Sequence, residues 1–253
     1  MTVLITGSQG FIGSNMIKYL NNINNINIIE FNKETSWQEL EKNIIMVDFI
    51  YHFAGEVKQK NSNKEFKKAN VCLTKRLITL IEEKKKKIPF LMSSSIHAEL
   101  QTTAYGISKR EAEIYLETYG KYNNIPIWIY RLPHIFGEGC KPNYNSVIST
   151  WIYNSIHDKE IIVFDRNTPM TYAYVQDIVK EFVECLKNRH HMRTSCYIKP
   201  KISYYTTLGE VIDFLKEFKN LQNNFIPPYT DFKAKLFTTY LDYIKRDDIP
   251  NYD

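Results

Sequence analysis

A tyrosine and a lysine stand four residues apart in the stretch YGISK, as Tyr105 and Lys109. On a helix this spacing places both side chains on one face, about one turn apart. An ammonium group beside a phenol favours the phenolate, so the spacing predicts a tyrosine pKa lowered toward neutrality. Such a phenol exchanges a proton with a substrate oxygen, and the pair is therefore predicted to be an acid–base unit. A solvent-facing pair without chemistry is the alternative.

Three serines end an apolar run shortly before this pair, as Ser93, Ser94 and Ser95 in IPFLMSSS. The run predicts a strand, and open parallel sheets bind ligands at the carboxyl ends of their strands. The hydroxyls are expected to lie close to Tyr105 across a short loop of nine residues and to hold a carbonyl or alkoxide oxygen. Serines at a strand end can equally satisfy backbone groups.

The chain opens on a third candidate, the glycines spaced three residues apart in TGSQGFIG. Residues 3–5 predict a buried strand, and Phe11, Ile12 and Met16 recur at helical spacing, so the glycines lie at a strand-to-helix turn. The missing Cβ atoms let a ligand approach the backbone, and the N–H groups of a helix start attract phosphate. The turn is predicted to bind a dinucleotide, against the alternative of a glycine-rich loop without function. Its glycines are Gly7, Gly10 and Gly13.

Strands and helices alternate through the first half of the chain. The alternation predicts an α/β fold, a Rossmann-type doubly wound parallel sheet, over 1–140, with a segment near 171–190 returning to it. Residues 141–170 and 191–253 alternate less regularly and are predicted to form a smaller C-terminal substrate-binding lobe. Predicted strands are 3–5, 27–31, 46–55, 88–95 and 125–132, and predicted helices are 36–44, 66–83, 105–122, 146–156 and 207–218.

Composition narrows the class of protein. The chain carries 33 Lys+Arg against 28 Asp+Glu, and its one dense basic run, 84–87, follows glutamates at a predicted helix end, where it complements the helix dipole. The four cysteines show neither C-x-x-C nor metal-ligand spacing, which predicts free thiols in a reducing compartment. A first strand at residue 2 or 3 leaves no room for a signal peptide, and no apolar stretch approaches the roughly 18 residues of a membrane span. We therefore expect a cytoplasmic protein that binds neither nucleic acid, membrane nor metal.

The chain resembles the extended short-chain dehydrogenase/reductases that act on nucleotide sugars. The matching motifs, in order, are TGSQGFIG (6–13), HFAG (52–55), ANV with Asn70, SSS (93–95), YGISK (105–109), YRLPHIFG (130–137) and YVQDIV (174–179). Within that superfamily, YRLPHIFGEGCKPNYNSVI and FDRNTPMTYAYVQDIV are similar to the reductase domain of the CapF-type capsule enzymes. That family joins a UDP-sugar 4-ketoreductase to a C-terminal metal-binding cupin, which is not expected here because the chain stops at Asp253.

The resemblance implies that NADPH delivers hydride to carbon 4 of a UDP-linked 2-acetamido-2,6-dideoxy-4-hexulose, in deoxysugar biosynthesis for surface glycans. It implies that Tyr105 protonates the alkoxide and that Ser95, with Ser94 as the alternative, hydrogen-bonds the same oxygen. Lys109 is implied to lower the tyrosine pKa and to hold the nicotinamide ribose. The motifs imply further cofactor contacts at Gly7, Gln9, Gly10, Phe11, Ile12, Gly13, Phe53, Ala54, Gly55, Asn70 and Leu132.

The end of the second predicted strand bears on the choice between NADP and NAD. An acidic residue there binds the ribose 2′-hydroxyl of NAD and repels a 2′-phosphate. The chain has Asn32 and Lys33 at this place, an amide and a cation that favour NADP. Glu30 stands two residues earlier, and if its side chain points toward the ribose, NAD stays open as the cofactor.

Four residues are predicted to contact the sugar nucleotide. Asn145 and Ser146 stand at a predicted helix start, where they either meet the diphosphate or only cap the helix. The resemblance places Arg166 where the family supplies a cation to the nucleotide, with a surface salt bridge as the alternative. His134 stands where the superfamily often has asparagine.

Other activities and partners follow from the same resemblance. Sugar 4,6-dehydratases carry an Asp–Glu pair where this chain has Ile96 and His97, so a reductase is favoured. A nucleotide-sugar 4-epimerase with tightly bound NAD stays open, as does a non-catalytic NADP-binding redox sensor, which would be expected to lose the tyrosine or the lysine. A separate 4,6-dehydratase and 3-epimerase are implied as working partners.

The superfamily also implies a homodimer, formed by the helices that carry Asn70 and Tyr105. Residues on the second of these helices, Ile114, Leu116 and Tyr119, are the candidate contacts. The alternative is that all three belong to the core of one chain.

Overall fold

The structure is a computed structural model, and it describes residues 1–57, 62–144, 146–190, 196–220 and 231–246 of the 253-residue chain. The chain forms two compact units. Unit 1 is Met1–Leu132 with Val179–Lys201, and unit 2 is Pro133–Ile178 with Ile202–Asp253. Residues 133–140 and 171–178, expected in the first domain, belong to unit 2, because the strands within them pair with each other. Residues 196–201, expected in the smaller lobe, belong to unit 1, because the strand Cys196–Ile198 pairs there. Which ligand each unit binds stays a prediction.

The strands in the described residues are β1 (Thr2–Thr6), β2 (Asn27–Phe31), β3 (Phe49–His52), β4 (Phe90–Ser95), β5 (Ile127–Leu132), β6 (His134–Phe136), β7 (Pro169–Tyr174), β8 (Cys196–Ile198) and β9 (Tyr204–Thr207). Six of them form one parallel sheet in unit 1, in the order β2-β1-β3-β4-β5-β8. The chain winds outward from β1 to β2 and then crosses back to β3, so the direction of winding reverses between β1 and β3. The predicted doubly wound parallel sheet is confirmed.

Helices connect the strands and cover the sheet. In the described residues they are α1 (Phe11–Leu20), α2 (Trp37–Asn43), α3 (Asn63–Phe66), α4 (Leu73–Glu83), α5 (Ile96–Leu100), α6 (Ala104–Asn123), α7 (Val147–Ile156), α8 (Val175–Lys187), α9 (Leu208–Asn220) and α10 (Asp231–Lys245). Residues Ile44–Met46 form a 3₁₀ turn, and Lys67–Cys72 form a π-helical turn between α3 and α4.

The central strands β1, β3, β4 and β5 are buried on both faces, which explains why they contain long apolar runs in the sequence. On one face, Phe90 and Met92 of β4 share a hydrophobic cluster with Leu116 of α6. On the other face, the Tyr51 hydroxyl of β3 donates a hydrogen bond to the Phe182 carbonyl of α8 at 3.1 Å. This packing fixes where the carboxyl ends of the strands lie.

Unit 2 has a small sheet and a core of its own. Strand β6 pairs with β7 in parallel, and β7 pairs with β9 in antiparallel register. Helix α9 directs Val211, Ile212, Leu215 and Phe218 into this core, so the helix predicted at 207–218 is confirmed as a packing helix.

The helix predicted at 66–83 differs from the one observed. It begins earlier, at Asn63, because Ser62 and Glu65 form a capping box there. The π-helical turn then interrupts it at Lys67–Cys72. Single-turn π-helical insertions are frequent at functional sites, and this one contains Asn70.

The segment between Ser95 and Tyr105 differs as well. It was expected to be a loop, but it contains α5, which Ser95 caps by accepting a hydrogen bond from the His97 N–H at 3.2 Å. The sequence analysis also gave no strand beyond residue 132. Strands β6, β7, β8 and β9 are only three to six residues long, and their partners are distant in sequence.

Candidate active site

Helix α6 carries the predicted acid–base pair in its first two turns. The Thr103 side chain caps the helix by accepting a hydrogen bond from the Gly106 N–H at 3.1 Å. Tyr105 follows immediately and is partly buried, and Lys109 lies one turn further and is buried. The predicted helix is therefore present with both residues on it.

The end of β4 brings one serine to the tyrosine. The Ser95 side chain lies beside the Tyr105 phenol, where its interaction acts to lower the pKa of that phenol. Ser94, the alternative partner, instead donates a hydrogen bond to the Glu113 carboxylate at 2.5 Å. Adjacent side chains of a strand point to opposite faces, which explains why the two hydroxyls have different partners.

The tyrosine pKa is not lowered as the spacing predicted. Burial raises the pKa of Tyr105 to about 12, and the interaction with Ser95 offsets only part of this effect. The Lys109 ammonium donates to the Ser93 carbonyl at 2.7 Å rather than to the phenol. Tyr105 is consequently a neutral phenol at neutral pH, which makes it a proton donor.

Burial acts on Lys109 in the opposite sense. It lowers the pKa of the ammonium to about 8, and the nearby Glu113 carboxylate counteracts part of the shift. A Cβ atom at Gly55 would lie 3.7 Å from the Lys109 Nζ, so the ammonium stands beside the segment that follows β3. The pair therefore faces the same edge of the sheet as the glycine turn.

Two positions of the glycine turn, Gly7 and Gly13, have no room for a Cβ atom. Gly7 has φ +69°, and a Cβ there would lie 2.7 Å from the Ala54 N atom. A Cβ at Gly13 would lie 2.2 Å from the Gly7 carbonyl oxygen. Helix α1 then starts behind Gly10 without a side-chain cap, which leaves its N–H groups to an anionic ligand. The turn has the form that a dinucleotide pyrophosphate requires.

Asn70 has a role that the sequence analysis missed. Its Oδ1 accepts a hydrogen bond from the Glu56 N–H at 2.8 Å, and its Nδ2 donates to the Ser108 hydroxyl at 2.9 Å and to the Glu56 carbonyl at 3.2 Å. The side chain, buried in the π-helical turn, thus braces the segment after β3 against α6. Its predicted contact with the cofactor stays a prediction.

His52, at the end of β3, is a second residue to which the sequence analysis gave no role. The Thr74 hydroxyl donates its one proton to the Asn70 carbonyl at 2.7 Å, so it accepts from Nε2 at 2.8 Å. Burial and the Lys109 charge lower the pKa of the ring to about 3. The ring is therefore neutral with its proton on Nε2, and Nδ1 accepts from the Thr6 hydroxyl at 2.8 Å. The Thr6 hydroxyl also accepts from the Ala54 N–H at 3.2 Å. A histidine at the end of a predicted buried strand is the feature of the sequence from which this role could have been inferred.

The end of β2 holds both the predicted residues and an unexpected carboxylate. The Asn32 side chain accepts from the Glu34 N–H at 2.8 Å and donates to the Ser8 hydroxyl at 3.4 Å, while Lys33 is exposed. The Glu34 carboxylate accepts from Gln9 of the glycine turn at 3.1 Å. Glu30, the acidic residue considered from the sequence, is exposed.

The other predicted cofactor residues of unit 1 lie at the same strand ends. Phe53, after β3, stacks on Tyr51 and Phe182 with ring centroids 5.6 and 5.4 Å apart. Leu132 ends β5 and is buried. Phe11 and Ile12 open α1 and are half-buried.

The predicted substrate residues lie in unit 2. His134 is exposed on β6 with its ring centroid 5.9 Å from that of Tyr172. Ser146 caps α7 by accepting from the Ser149 N–H at 3.3 Å. Arg166 donates to both Asp213 carboxylate oxygens at 2.8 and 2.7 Å, the surface ion pair given as its alternative. Their contacts with a nucleotide stay a prediction, and Asn145 lies outside the described residues.

Two of the three candidate dimer contacts belong to the core. Leu116 is fully buried, and the Tyr119 hydroxyl accepts from the Ile88 N–H at 2.9 Å. The reason is that both side chains face the sheet from α6. Ile114 is 47% exposed and stays available for a contact.

Two further features, a metal-ligand cluster and a membrane-spanning helix, are absent from the residues that the structure describes. Across the described ranges, no three histidine, cysteine, aspartate or glutamate side chains come together in a way that could hold a metal ion. Among the helices of those same ranges, none combines the length and the apolar character needed to cross a membrane.

Comparison with known proteins decides the family. The model of the NAD dependent epimerase/dehydratase family matches residues 3–195. The chain belongs to this family. It is an extended short-chain dehydrogenase/reductase, an enzyme of the oxidoreductase type that uses a nicotinamide dinucleotide, as the motifs predicted.

Individual members of the family share the fold and differ in sequence. The chain is 34% identical over its whole length to a UDP-2-acetamido-2,6-beta-L-arabino-hexul-4-ose reductase of Pseudomonas aeruginosa, of which it covers 67%. It matches the capsular polysaccharide assembling protein CapF of Staphylococcus aureus with a TM-score of 0.84 and 34% identity, covering 99% of this chain and 67% of that one. A UDP-glucuronic acid 4-epimerase of Bacillus cereus, 17% identical over all of this chain and 99% of its own, has the same fold with a TM-score of 0.84. The chain thus spans about two thirds of the first two relatives.

Proposed function

We propose that the protein is an NADPH-dependent 4-ketoreductase of a UDP-linked 2-acetamido-2,6-dideoxy-4-hexulose, in deoxysugar biosynthesis for surface glycans. The observation that carries the proposal is the placement of Tyr105 beside Ser95 and on the same helix face as the buried Lys109. Similarity over the whole chain to a relative named as a reductase of a UDP-linked hexulose supports the substrate class.

The residues of the site divide the work of a ketone reduction. The bound NADPH supplies the hydride that reaches carbon 4. Tyr105 donates its phenolic proton to the oxygen of the same carbon, and Ser95 hydrogen-bonds that oxygen, so that a hydride and a proton together give the alcohol. The Lys109 ammonium holds the nicotinamide ribose and stabilises the negative charge that Tyr105 carries after donating its proton.

The cofactor is held by unit 1 in this proposal. Gly7, Gly10 and Gly13 let the pyrophosphate approach the start of α1. Asn32 and Lys33 contact the 2′-phosphate, which favours NADPH over NADH, although the Glu34 carboxylate beside Gln9 opposes this preference. The sugar nucleotide is assigned to His134, Ser146, Arg166 and Asn145.

Similarity over the whole chain to a relative named as a reductase favours this function over the 4-epimerase. The dehydratase remains disfavoured by Ile96 and His97, and the redox sensor by the presence of both Tyr105 and Lys109.

Turnover of a defined ketosugar tests the proposal. The chain is incubated with NADPH and the product of a UDP-N-acetylglucosamine 4,6-dehydratase, and the loss of nicotinamide absorbance and the NMR spectrum of the sugar are followed. We expect reduction at carbon 4, and a loss of at least about 100-fold in kcat for Tyr105→Phe. Tyr122→Phe, an 85% exposed residue of the same helix, is the matched control.

Two results would refute different parts. Turnover of a dTDP- or GDP-linked ketosugar without turnover of the UDP-linked one removes the UDP assignment. Unchanged kcat in Tyr105→Phe removes the assignment of the proton donor.

The proposal includes an assembly and a location. A homodimer is supported by Ile107 and Ile114, which are 53% and 47% exposed and lie seven residues apart on α6. The four free cysteines fit the reducing cytoplasm. A 4,6-dehydratase must supply the ketosugar, and a 3-epimerase acts on it separately.

A further inference from the structure

The last three residues of β4 contact α6 at three successive turns of the helix. The three α6 residues are four apart in sequence, so they form one row along the helix. Each is held by a different one of the last three residues of β4. The contacts are Ser95 with the Tyr105 hydroxyl, the Ser93 carbonyl with Lys109 Nζ at 2.7 Å, and the Ser94 hydroxyl with the Glu113 carboxylate at 2.5 Å.

We propose that Glu113 is a positioning residue of the reductase site, whose carboxylate fixes α6 against the end of β4 and places a negative charge behind Lys109. The inference rests on the proposed function, because the positions that it fixes are those of Tyr105 and Lys109. Glu113 lies eight residues from Tyr105 along α6 and does not contact the reacting groups. Its effect on the reaction is therefore exerted through Tyr105 and Lys109.

Burial and bonding make the Glu113 carboxylate specific to one position of the helix. The side chain is fully buried, and its oxygens accept from Ser94 of β4, from Arg110 of α6 at 3.0 Å and from Arg131 of β5 at 2.9 and 3.2 Å. A buried charge is tolerated only when such donors surround it. A shift of α6 along β4 and β5 would remove donors from the carboxylate, so the helix is held in register.

The two arginines that bind Glu113, Arg110 and Arg131, have further contacts on β8 and α5 that hold them in place. Arg131 lies 4.2 Å and Arg110 5.4 Å from the ring centroid of Tyr197 on β8. Arg131 also lies 3.8 Å from the Glu99 carboxylate of α5. Through these contacts of Glu113, Arg110 and Arg131, α6 is joined to β5 and β8 of the sheet as well as to β4.

The charge of Glu113 also acts on Lys109. Burial lowers the pKa of Lys109 to about 8, and Glu113 works against this effect. The other titratable groups facing Lys109 are His52 of β3, which is neutral, and Tyr105 of α6, which is a neutral phenol. Without the Glu113 charge, the pKa of Lys109 falls further and the ammonium is lost nearer to neutral pH.

Glu113→Gln tests the inference, with Glu117→Gln as its matched control. Glu117 pairs with the same Arg110 at 3.4 Å, but its side chain is 32% exposed. The measurements are kcat and the KM for NADPH across pH, and the titration of the Lys109 side chain by NMR in the ligand-free protein. For Glu113→Gln we expect kcat to fall by about tenfold to 100-fold with little change in KM, because the reacting groups are misplaced while the glycine turn is intact.

The pH readouts separate this role from a general loss of stability. In Glu113→Gln, Lys109 should titrate at lower pH than in the wild type, and the alkaline fall of kcat should move with it. In Glu117→Gln both should stay at the wild-type values. Equal kcat and equal Lys109 titration in the two variants overturns the inference.

Ser94→Ala covers the case in which Glu113→Gln does not fold. This variant removes one hydrogen bond and leaves both arginine pairs of Glu113 in place. A lower kcat with unchanged Lys109 titration supports the positioning role, and an unchanged kcat overturns it. If the wild type itself does not reduce the ketosugar, the proposed function fails, and the NMR titration in the ligand-free protein still decides the effect of Glu113 on Lys109.

Discussion

Burial acts on Tyr105 and Lys109 in opposite directions, because desolvation penalises the charged form of each group. It raises the pKa of the phenol to about 12 and lowers that of the ammonium to about 8. At neutral pH the phenol therefore keeps the proton that a reduction consumes, and most of the ammonium keeps its charge. As pH rises, Lys109 loses its proton long before Tyr105 does.

We predict that kcat falls as pH rises through about 8, since the falling limb reports the loss of the Lys109 charge. The measurement is kcat against pH at saturating NADPH and ketosugar. Lys109→Arg, which stays charged throughout, should lose this limb even if its kcat is low. Lys121→Arg, at the exposed end of the same helix, should keep it. A wild-type kcat that stays constant well above pH 8 would contradict the prediction.

A feature of the site can be predicted from the sequence when it depends only on residues that are close together in the chain. The spacing of Tyr105 and Lys109 is local, so the sequence predicts that they share a helix face. The sign of the tyrosine pKa shift is not local, because it depends on burial and on the Ser93 carbonyl that binds Lys109. The partner of Ser94 also needed the fold, since Ser94 points to the face of β4 that α6 covers.

At the scale of elements, the glycine turn controls how closely α1 follows β1. The Gly13 Cβ position is 2.2 Å from the Gly7 carbonyl oxygen, whereas the Gly10 Cβ position is 3.1 Å from the same atom. The first distance forces a displacement of backbone, while the second requires a shift of a few tenths of an ångström. The two glycines should therefore respond very differently to the same added methyl group.

We predict that Gly13→Ala weakens NADPH binding by at least about tenfold, because α1 can no longer present its first N–H groups at the turn. Lys18→Ala, at an exposed position of the same helix, should bind NADPH within a few-fold of the wild type, whereas a methyl group at Gly10 would meet the pyrophosphate itself. The measurement is the dissociation constant for NADPH by fluorescence titration, with circular dichroism to confirm folding. Equal weakening in both variants would show that the close contact at Gly13 does not control the turn.

His52 connects three elements, because its ring joins Thr6 of β1 to Thr74 of α4 and, through it, to Asn70 of the π-helical turn. Its pKa is about 3 in the folded chain, below the ordinary value of 6.5. Between these pH values the unfolded chain binds a proton that the folded chain does not. The contribution of His52 to stability is therefore present above about pH 6.5 and is lost progressively as pH falls toward 3.

We predict that the free energy of unfolding falls by up to about 1.4 kcal/mol per pH unit below pH 6.5 through His52 alone. The measurement is urea denaturation of the wild type and of His52→Gln at a series of pH values from neutral to mildly acidic. His52→Gln should be less stable at neutral pH and less sensitive to acid. His190→Gln, an exposed histidine, should follow the wild type, and so should His52→Gln if the prediction is wrong.

The elements of the two units were not equally predictable. Strands β1 to β5 are continuous apolar runs between helices, and this pattern is visible without the fold. In unit 2 the strands are short, and β7 pairs with β6 and with β9, which lie about 30 residues away on either side. Such short strands hold too few residues to show a period of two, and their bonding partners come from distant sequence.

At the scale of the whole molecule, neither unit is a continuous stretch of chain. The chain passes from unit 1 to unit 2 after Leu132, returns at Val179 and leaves again after Lys201. The returning segment supplies β8, which pairs with β5, and Phe182, which packs on Phe53. A fragment ending at residue 132 would lack this edge of the sheet, so the proposed catalytic residues depend on sequence that follows them by more than 50 residues.

The proposed homodimer depends on one exposed helix face. Ile107 and Ile114 lie seven residues apart on α6 and are 53% and 47% exposed, whereas Leu116 of the same helix is fully buried. We predict that Ile114→Lys yields a monomer, because an ammonium group in an apolar interface has no partner there. Ile45→Lys alters a side chain that is 55% exposed in the 3₁₀ turn after α2 and should leave the dimer intact. Sedimentation velocity at micromolar concentration distinguishes the two states; a wild type that sediments as a monomer contradicts the dimer, and an Ile114→Lys variant that stays dimeric excludes this face of α6.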